Sequence, residues 1–334
     1  MGMDSEGGSG KMIHALALTG PTASGKTALS IALARELGCE IISADSMQIY
    51  RGMDIGTAKA TAEERAAVPH HLIDIVSPCD SYSTEEYRRD AMAAARSISL
   101  AGKTPLFVGG TGLYIDTLTR AEVKEVPGGD ASVRESLLAF AEECGARALW
   151  ERLFSVDEES ALAIHENNVK RVIRALEIYE LTGKPKSYFD RLSRELSADI
   201  SVGMITLDFH DRDNLYRRVD TRVEKMLDLG LLDEVKSLYE SGVLDGQNTA
   251  SQAIGYKELI GYIRGENTLE LALENLKLAS RHYAKRQLTW FRHKTSAERL
   301  FVDTEDGVMK DMDELLSEAI VLSGELLAKI GYNR

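Results

Sequence analysis

The sequence predicts an α/β fold: a mostly parallel sheet flanked by helices, with an all-helical insertion. Short apolar runs recur along the chain, several without polar alternation, as strands covered on both faces require. Helical patterns separate these runs, which implies βαβ units and places ligands at the carboxyl ends of the strands. Between about Glu122 and Leu196 the strand pattern stops.

The first strand, Ile13–Thr19, runs into Gly20, Pro21, Thr22, Ala23, Ser24, Gly25, Lys26 and Thr27, and a helical pattern follows from Ala28 to Leu37. This stretch fits G-x-x-x-x-G-K-[ST] in the strand, turn and helix setting that a phosphate-cradling loop needs, so the expected class is P-loop NTPase-like. The glycines let backbone N–H groups turn inward and the helix N-terminus adds its positive end. Lys26 supplies a mobile charge and Thr27 a hydroxyl for a magnesium ion. The loop points to a di- or triphosphate without saying which one.

The second strand, Glu40–Ala44, puts Asp45 just past its end, on the rim that the phosphate loop occupies. A carboxylate there can hold magnesium, act as a general base or cap the following turn. Leu72–Val76 is the third strand expected. The fourth, Pro105–Val108, ends in Gly109-Gly110-Thr111-Gly112, where glycines allow close backbone approach and Thr111 offers a hydroxyl at the same rim.

In the insertion, Ser132–Glu135 and Ser155–Glu158 both read as S-x-x-E capping boxes. A third helix runs from about Val169 to Leu181 and is closed by Gly183 and Pro185. Its Val169, Val172, Ile173, Leu176 and Tyr179 share one stripe, with Lys170, Arg171 and Arg174 on the opposite face. The chain returns to strand at Gly203–Phe209, continues with helices from Asn214, Leu231 and Thr268, and offers a last strand at Leu300–Val302. The expected organisation is a core of 11–121 and 197–334, a helical insertion of 122–196, and a disordered or tag-like segment 1–10.

The 334 residues are 44% hydrophobic and 28% charged with six prolines, the composition of an ordinary globular protein. No apolar run approaches the roughly eighteen residues of a membrane span. Cys39, Cys79 and Cys144 lie far apart and suit a reducing cytoplasm. His70, His71, His210 and His293 have no metal-ligand spacing. A net charge of −13 speaks against a nucleic-acid partner, but the charge is segregated. Arg281 to Lys294 holds five Lys/Arg, two His and no acid, with Tyr283, Trp290 and Phe291 interleaved, while the tail beyond is mostly acidic. Such a segment suits phosphate contacts with stacking on unpaired bases.

Taken in order, these segments resemble the tRNA dimethylallyltransferases, the isopentenyl-diphosphate:tRNA isopentenyltransferases. The resemblance runs from Leu18 to about Lys294 and rests on the phosphate loop, Ser43-Ala-Asp-Ser-Met-Gln-Ile-Tyr50, Gly52-Met-Asp-Ile-Gly-Thr-Ala-Lys59 and Pro69-His-His-Leu-Ile-Asp74. Val108-Gly-Gly-Thr-Gly-Leu-Tyr114, Lys170 to Tyr179, Gln252-Ala-Ile-Gly-Tyr-Lys257 and Lys285-Arg-Gln-Leu-Thr-Trp-Phe-Arg292 continue it. It implies transfer of the five-carbon group of dimethylallyl diphosphate to the exocyclic amine of the adenine immediately 3′ of the anticodon, with magnesium and the loop stabilising the departing diphosphate.

The resemblance further implies Asp45 as the base, Thr111 as its positioning partner and Lys26 as a catalytic cation. Its tRNA-contacting stretches fall on Asp45, Ser46, Met47 and Gln48, on Arg134, and on Lys170, Arg171, Val172, Ile173 and Arg174. They continue on Gln252, Ala253, Ile254, Gly255, Tyr256 and Lys257, and on Lys285, Arg286, Trp290 and Arg292. Gln252 stands where some members carry arginine. Eukaryotic members carry a C-terminal zinc finger; the tail after Lys294 has no Cys or His, so a bacterial type is expected. A monomer that engages the anticodon stem-loop and no membrane completes the expectation.

Three rivals remain at this stage. An adenylate isopentenyltransferase uses the same chemistry on free AMP, ADP or ATP, but it has no need of the insertion or the Arg281–Lys294 patch. A P-loop kinase requires a lid arginine, which the sequence does not single out. An RNA-binding protein without catalysis leaves Asp45 and Thr111 without a purpose.

Overall fold

The computed structural model describes residues 12–332 apart from 122, 124, 197, 245 and 247. The expectation for residues 1–10 therefore lies outside the described residues. Six parallel strands form one sheet: β1 (Ile13–Thr19), β2 (Cys39–Ser43), β3 (His70–His71), β4 (Thr104–Gly109), β5 (Ile200–Asp208) and β6 (Glu298–Phe301). Their order is β3-β2-β4-β1-β5-β6, so β1, with the phosphate loop at its end, is central.

Central strands read as apolar because both faces are covered. Leu16 and Leu18 point into one core with Leu29 and Leu33 of the Lys26–Leu37 helix and Leu315 and Ala319 of the Met312–Lys329 helix. Ala15 and Ala17 point the other way, against Tyr87 and Ala91 of the Thr84–Leu100 helix and Ile115 of the Gly112–Thr119 helix. The period of two along β1 thus assigns alternate residues to opposite layers. A third apolar cluster joins Ile49, Tyr50 and Met53 to the helices Arg212–Asp228, Leu231–Glu240 and Leu269–Lys294. No helix among the described residues is long and apolar enough to cross a membrane.

The stretch Leu72–Val76, expected as a strand, contributes only a bridge from Val76 to Tyr50, and the paired strand lies just before it. Leu72 (φ 61°) and Asp74 (φ 59°) adopt left-handed backbone, which no strand accommodates. The Asp74 carboxylate explains the detour. It takes hydrogen bonds from Lys59 Nζ at 2.5 Å and Arg65 Nη1 at 2.7 Å, while its N–H goes to Gln48 O.

By packing, the chain divides into two compact units. One ends at Thr119 and resumes at Asp199; the other is Arg120–Ala198. The second unit is helical, built on Ala131–Val156, Glu158–Ala163, Val169–Thr182 and Lys186–Glu195 around Leu137, Leu149, Leu153, Val172 and Leu176. The Ala131–Val156 span breaks at Gly145 (φ 87°, ψ 159°). Neither expected capping box is used. Asp130 Oδ1 receives Val133 N–H at 3.0 Å and Asp157 Oδ1 receives Ser160 N–H at 3.1 Å. Carboxylates accept more strongly than hydroxyls, and both aspartates are themselves anchored: Asp130 N–H goes to Glu177, and Asp157 Oδ2 takes Ser187 N–H. Ser155 donates to Arg152 O inside the helix instead.

Glu177 organises this unit. Its side chain is fully buried and accepts from Asp130 N–H at 2.6 Å, Arg174 Nη1 at 2.7 Å and Arg134 Nε at 2.8 Å. Burial alone would raise its pKa, but the Arg174, Asp130 and Arg134 hydrogen bonds prevail and hold it below the usual 4.5. A depressed carboxylate adds stability that is complete above its unfolded pKa and lost as pH falls through the folded one. The expected outcome is a helical unit that loosens on acidification below about pH 4.5. Glu177→Gln should cost about 2 kcal/mol near neutrality and flatten that pH dependence. Trp150, which packs in this unit and donates to Ala161 O, reports the transition by fluorescence in a Trp290→Phe background.

Candidate active site

The phosphate loop closes with backbone that few side chains tolerate. Gly20 has φ 139°, and a Cβ there would come within 2.9 Å of Leu207 O. Gly25 (φ 97°) caps the Lys26–Leu37 helix without a side-chain hydrogen bond, and the first turn contains no acid. Ala23 is also left-handed at φ 63°, an uncommon state for a residue with a Cβ. Open first-turn amides at a positive helix end make an anion site. Ser24 Oγ is buried in this loop with no hydrogen-bond partner. Lys26 Nζ folds back onto Gly20 O at 3.0 Å and Pro21 O at 2.6 Å. Burial, reinforced by Arg222 and opposed by Asp45, pulls its pKa down to about 7.

Thr22 to Thr27 line a cavity of about 950 Å³, and Asp45 to Gln48, Gly109 and Gly110 line it from the neighbouring strand ends. The two rims are laced together by Ala44 N–H to Val108 O at 2.8 Å and Thr111 N–H to Ala44 O at 3.2 Å. Asp45 Oδ1 caps its own turn by accepting Met47 N–H at 2.9 Å, so the capping role is real. Its second oxygen makes no hydrogen bond among the described residues and leaves the carboxylate able to do more. Thr111 Oγ1 accepts Ser46 N–H at 3.1 Å and donates to Ser46 Oγ at 3.4 Å. Burial, followed by the Asp45 charge, pushes the Tyr283 phenol up to about 12.

Sequence reasoning missed two groups. Arg217, Arg218, Arg222 and Lys225 reach the cavity from the Arg212–Asp228 helix. Arg222 donates to Thr22 Oγ1, and Arg218 Nε to Ala23 O at 2.7 Å. The i, i+4 spacing of these two arginines was available, but Asp213, Asp220, Glu224 and Asp228 interleave, so the segment reads as a solvated mixed face. Gln287 is the second. Its Oε1 accepts Thr22 N–H at 2.8 Å and its Nε2 donates to Gly110 O at 2.9 Å, bolting the phosphate loop to the glycine turn.

Of the other expected residues, Gln252, Ala253, Ile254, Gly255, Lys257 and Arg286 line the same cavity. Ala253 and Tyr256 are buried, which leaves them backbone atoms for any nucleic-acid contact. Lys285, Trp290 and Arg292 lie off the cavity wall. Lys285 is exposed. Trp290 rests on Gly112, where a Cβ would meet its indole at 2.2 Å. Arg292 grips the fully buried Asp208 at 2.5 and 2.9 Å. Phe291, one of the interleaved aromatics, is core at 3% exposure and offers no stacking face. Arg134 and Lys170 to Arg174 belong to the helical unit. There Arg134 and Arg174 are engaged by Glu177, Lys170 and Arg171 are exposed, and Val172 and Ile173 are buried.

The cavity therefore combines an anion-binding floor, a cationic wall and a carboxylate. Among the described residues no group of three or more His, Cys, Asp or Glu gathers to hold a metal. Thr27 and Asp45 on the wall and the unpartnered Ser24 hydroxyl are oxygen donors, which suit a hard cation that draws its remaining ligands from phosphate and water.

Comparison with known proteins identifies the family. A family described as IPP transferase matches residues 48–294, and one described as Isopentenyl transferase matches 13–73. A tRNA dimethylallyltransferase of Geobacillus thermodenitrificans is 51% identical over 283 residues, covering 84% of this chain and 88% of its own. One of Thermoanaerobacter sp. is 44% identical over 316 residues, covering 94% and 99%. The solved tRNA isopentenylpyrophosphate transferase of Bacillus halodurans superposes with a TM-score of 0.69 at 42% identity, covering 96% of this chain and 98% of its own. A eukaryotic dimethylallyltransferase acting on tRNA gives a TM-score of 0.80 at 28% identity, covering 96% and 81%. The chain belongs to the tRNA dimethylallyltransferase family.

Proposed function

We propose that this tRNA prenyltransferase moves the dimethylallyl group of dimethylallyl diphosphate onto the N6 amine of the adenine immediately 3′ of the anticodon. The carbon–oxygen bond of the donor breaks, a carbon–nitrogen bond forms, diphosphate leaves and the amine gives up one proton. The observation that carries this reading is one cavity holding an anion cradle, several cations and a carboxylate with an unengaged oxygen. On this reading Thr22 to Thr27, Arg218 and Arg222 bind the diphosphate and stabilise the charge that grows as it departs. Magnesium bound at Thr27 would supply further electrophilic pull on the leaving oxygens.

An adenine amine is a poor nucleophile because its lone pair is delocalised into the ring. Asp45 takes the amine proton as the new bond forms, held in register by its Met47 N–H contact. Thr111, tied to Ser46, positions the carboxylate or the amine. The exposed Lys170, Arg171 and Lys285 bind the tRNA backbone, with the helical unit Arg120–Ala198 read as an insertion that serves that contact. The anticodon stem-loop is the region engaged, and the enzyme acts as a monomer in the cytoplasm.

The test is to offer labelled dimethylallyl diphosphate with unmodified tRNA, AMP or ATP. Label is expected in tRNA; label in the free nucleotides alone would overturn the acceptor assignment. Asp45→Asn keeps the shape and the Met47 contact while removing the base, and should slow single-turnover transfer by about 10²–10⁴-fold. Binding of both substrates should hold within a few-fold, and a rate close to the parent enzyme would remove Asp45 from the proton transfer.

Lys26 yields a second expectation. With a pKa of about 7 it is partly neutral in the empty loop, and a bound polyanion drives it to the charged form. Binding near pH 8 should therefore take up close to one proton, and affinity should fall as pH rises above about 7. Calorimetry of dimethylallyl diphosphate binding in buffers of different ionisation enthalpy measures this. The uptake should vanish in Lys26→Met, and its persistence there would assign the proton elsewhere.

A further inference from the structure

Outside the cavity, one carboxylate is saturated with donors that come from another element. Glu234, on the Leu231–Glu240 helix, accepts Asp54 N–H at 2.9 Å and Ile55 N–H at 2.8 Å on Oε2. Its Oε1 accepts Gly56 N–H at 3.0 Å and the Tyr256 hydroxyl at 2.6 Å. Four donors fill the four lone-pair directions of one carboxylate. Three consecutive amides converging on a single anion form a nest, which fixes the loop backbone more tightly than any one bond would. Packing closes the arrangement: the Tyr256 ring lies on Gly56 so closely that a Cβ there would be 2.5 Å from it.

The same loop ends in the cavity. Thr57 O and Ala58 O each accept from Gln48 Nε2 at 3.2 Å, and Gln48 Oε1 accepts Ser43 Oγ at 3.1 Å. Those contacts set which end of the Gln48 amide faces which neighbour. Gln48, Thr57 and Ala58 all line the cavity, and Gln48 stands three residues after Asp45. Lys59 secures the far side of the loop through Tyr50 O at 2.5 Å and Asp54 Oδ1 at 2.7 Å. The loop is thus clamped at both ends, and its middle holds the Gln48 amide.

We propose that Glu234 is a positioning residue: it holds the Asp54–Gly56 backbone so that Thr57 and Ala58 orient the Gln48 amide toward the acceptor. The inference rests on the reading above only for what Gln48 faces. Glutamine at 234 has one acceptor oxygen, so part of the donor set would meet an NH2 group that cannot accept. The loop then loses its template and Gln48 its fixed orientation, while the phosphate loop on β1 keeps its own bonds.

Glu234→Gln in the full chain is expected to raise hydrogen exchange at the Asp54–Gly56 amides about tenfold or more, with β1 amides unchanged. The tRNA kcat/KM should fall about 10–100-fold, with the KM for dimethylallyl diphosphate within about threefold. In a Gln48→Ala background the same substitution should change kcat/KM by less than about threefold, because Glu234 acts through Gln48. Tyr256→Phe removes one donor of four and should give a smaller loss of the same kind, which keeps the proposal testable if Glu234→Gln does not fold. Unchanged loop exchange, a fully multiplicative double mutant, or an equal loss of diphosphate affinity would each overturn it. If the parent enzyme placed no allyl group on tRNA, the functional reading would fall, whereas the loop exchange would still decide whether Glu234 holds the loop.

Discussion

The backbone at Gly109 and Gly110 passes too close to its neighbours to carry side chains, and the site depends on that closeness. A Cβ on Gly109 would sit 2.1 Å from Ala44 O, and one on Gly110 would sit 2.1 Å from Gln287 Nε2. Those distances bring the ends of β2 and β4 together, so that Asp45 and Thr111, 66 residues apart in sequence, share one rim. They also let Gln287 reach across from Gly110 O to Thr22 N–H and set the phosphate loop against the same turn. A parallel sheet makes this economical, because every strand delivers its loop to the same edge.

Electrostatics at the site run against the charge of the whole chain. A protein of net charge −13 gathers Lys26, Arg218, Arg222 and Lys225 around one cavity, where burial lowers the pKa of Lys26 and of Arg222. Asp45 offsets only part of the cost of burying these cations. On the proposed function, a polyanionic substrate would supply the remaining compensation. Elsewhere several cations are paired with acids. The long Leu269–Lys294 helix is fastened by Arg281 to Asp220 and by Arg292 to Asp208, which holds Tyr283 and Gln287 in place.

The helical unit divides its basic residues in a similar way. Glu177 takes up Arg134 and Arg174 to close the packing, while Lys170 and Arg171 remain exposed one turn away. On the sequence Lys170, Arg171 and Arg174 read as one basic face. Burial separates them into residues that hold the unit together and residues that remain available to a phosphate backbone.

By itself the sequence determined the α/β class, the phosphate loop and the positions of Asp45 and Thr111 at strand ends. Those features are local: a period of two, a glycine spacing, a residue one step past an apolar run. Tertiary structure decided the rest. Arg222 and Gln287 lie 200 and 265 residues from the Thr22 they bind, and no local pattern encodes a contact of that separation. Asp130 and Asp157 displaced the serine caps because Glu177 and Ser187, brought in by folding, anchor them. Leu72–Val76 has the composition of a strand, yet Lys59 and Arg65 hold Asp74 in a conformation that a strand excludes. Local pattern sets what each segment can become, and the long-range partners that packing supplies select what it is.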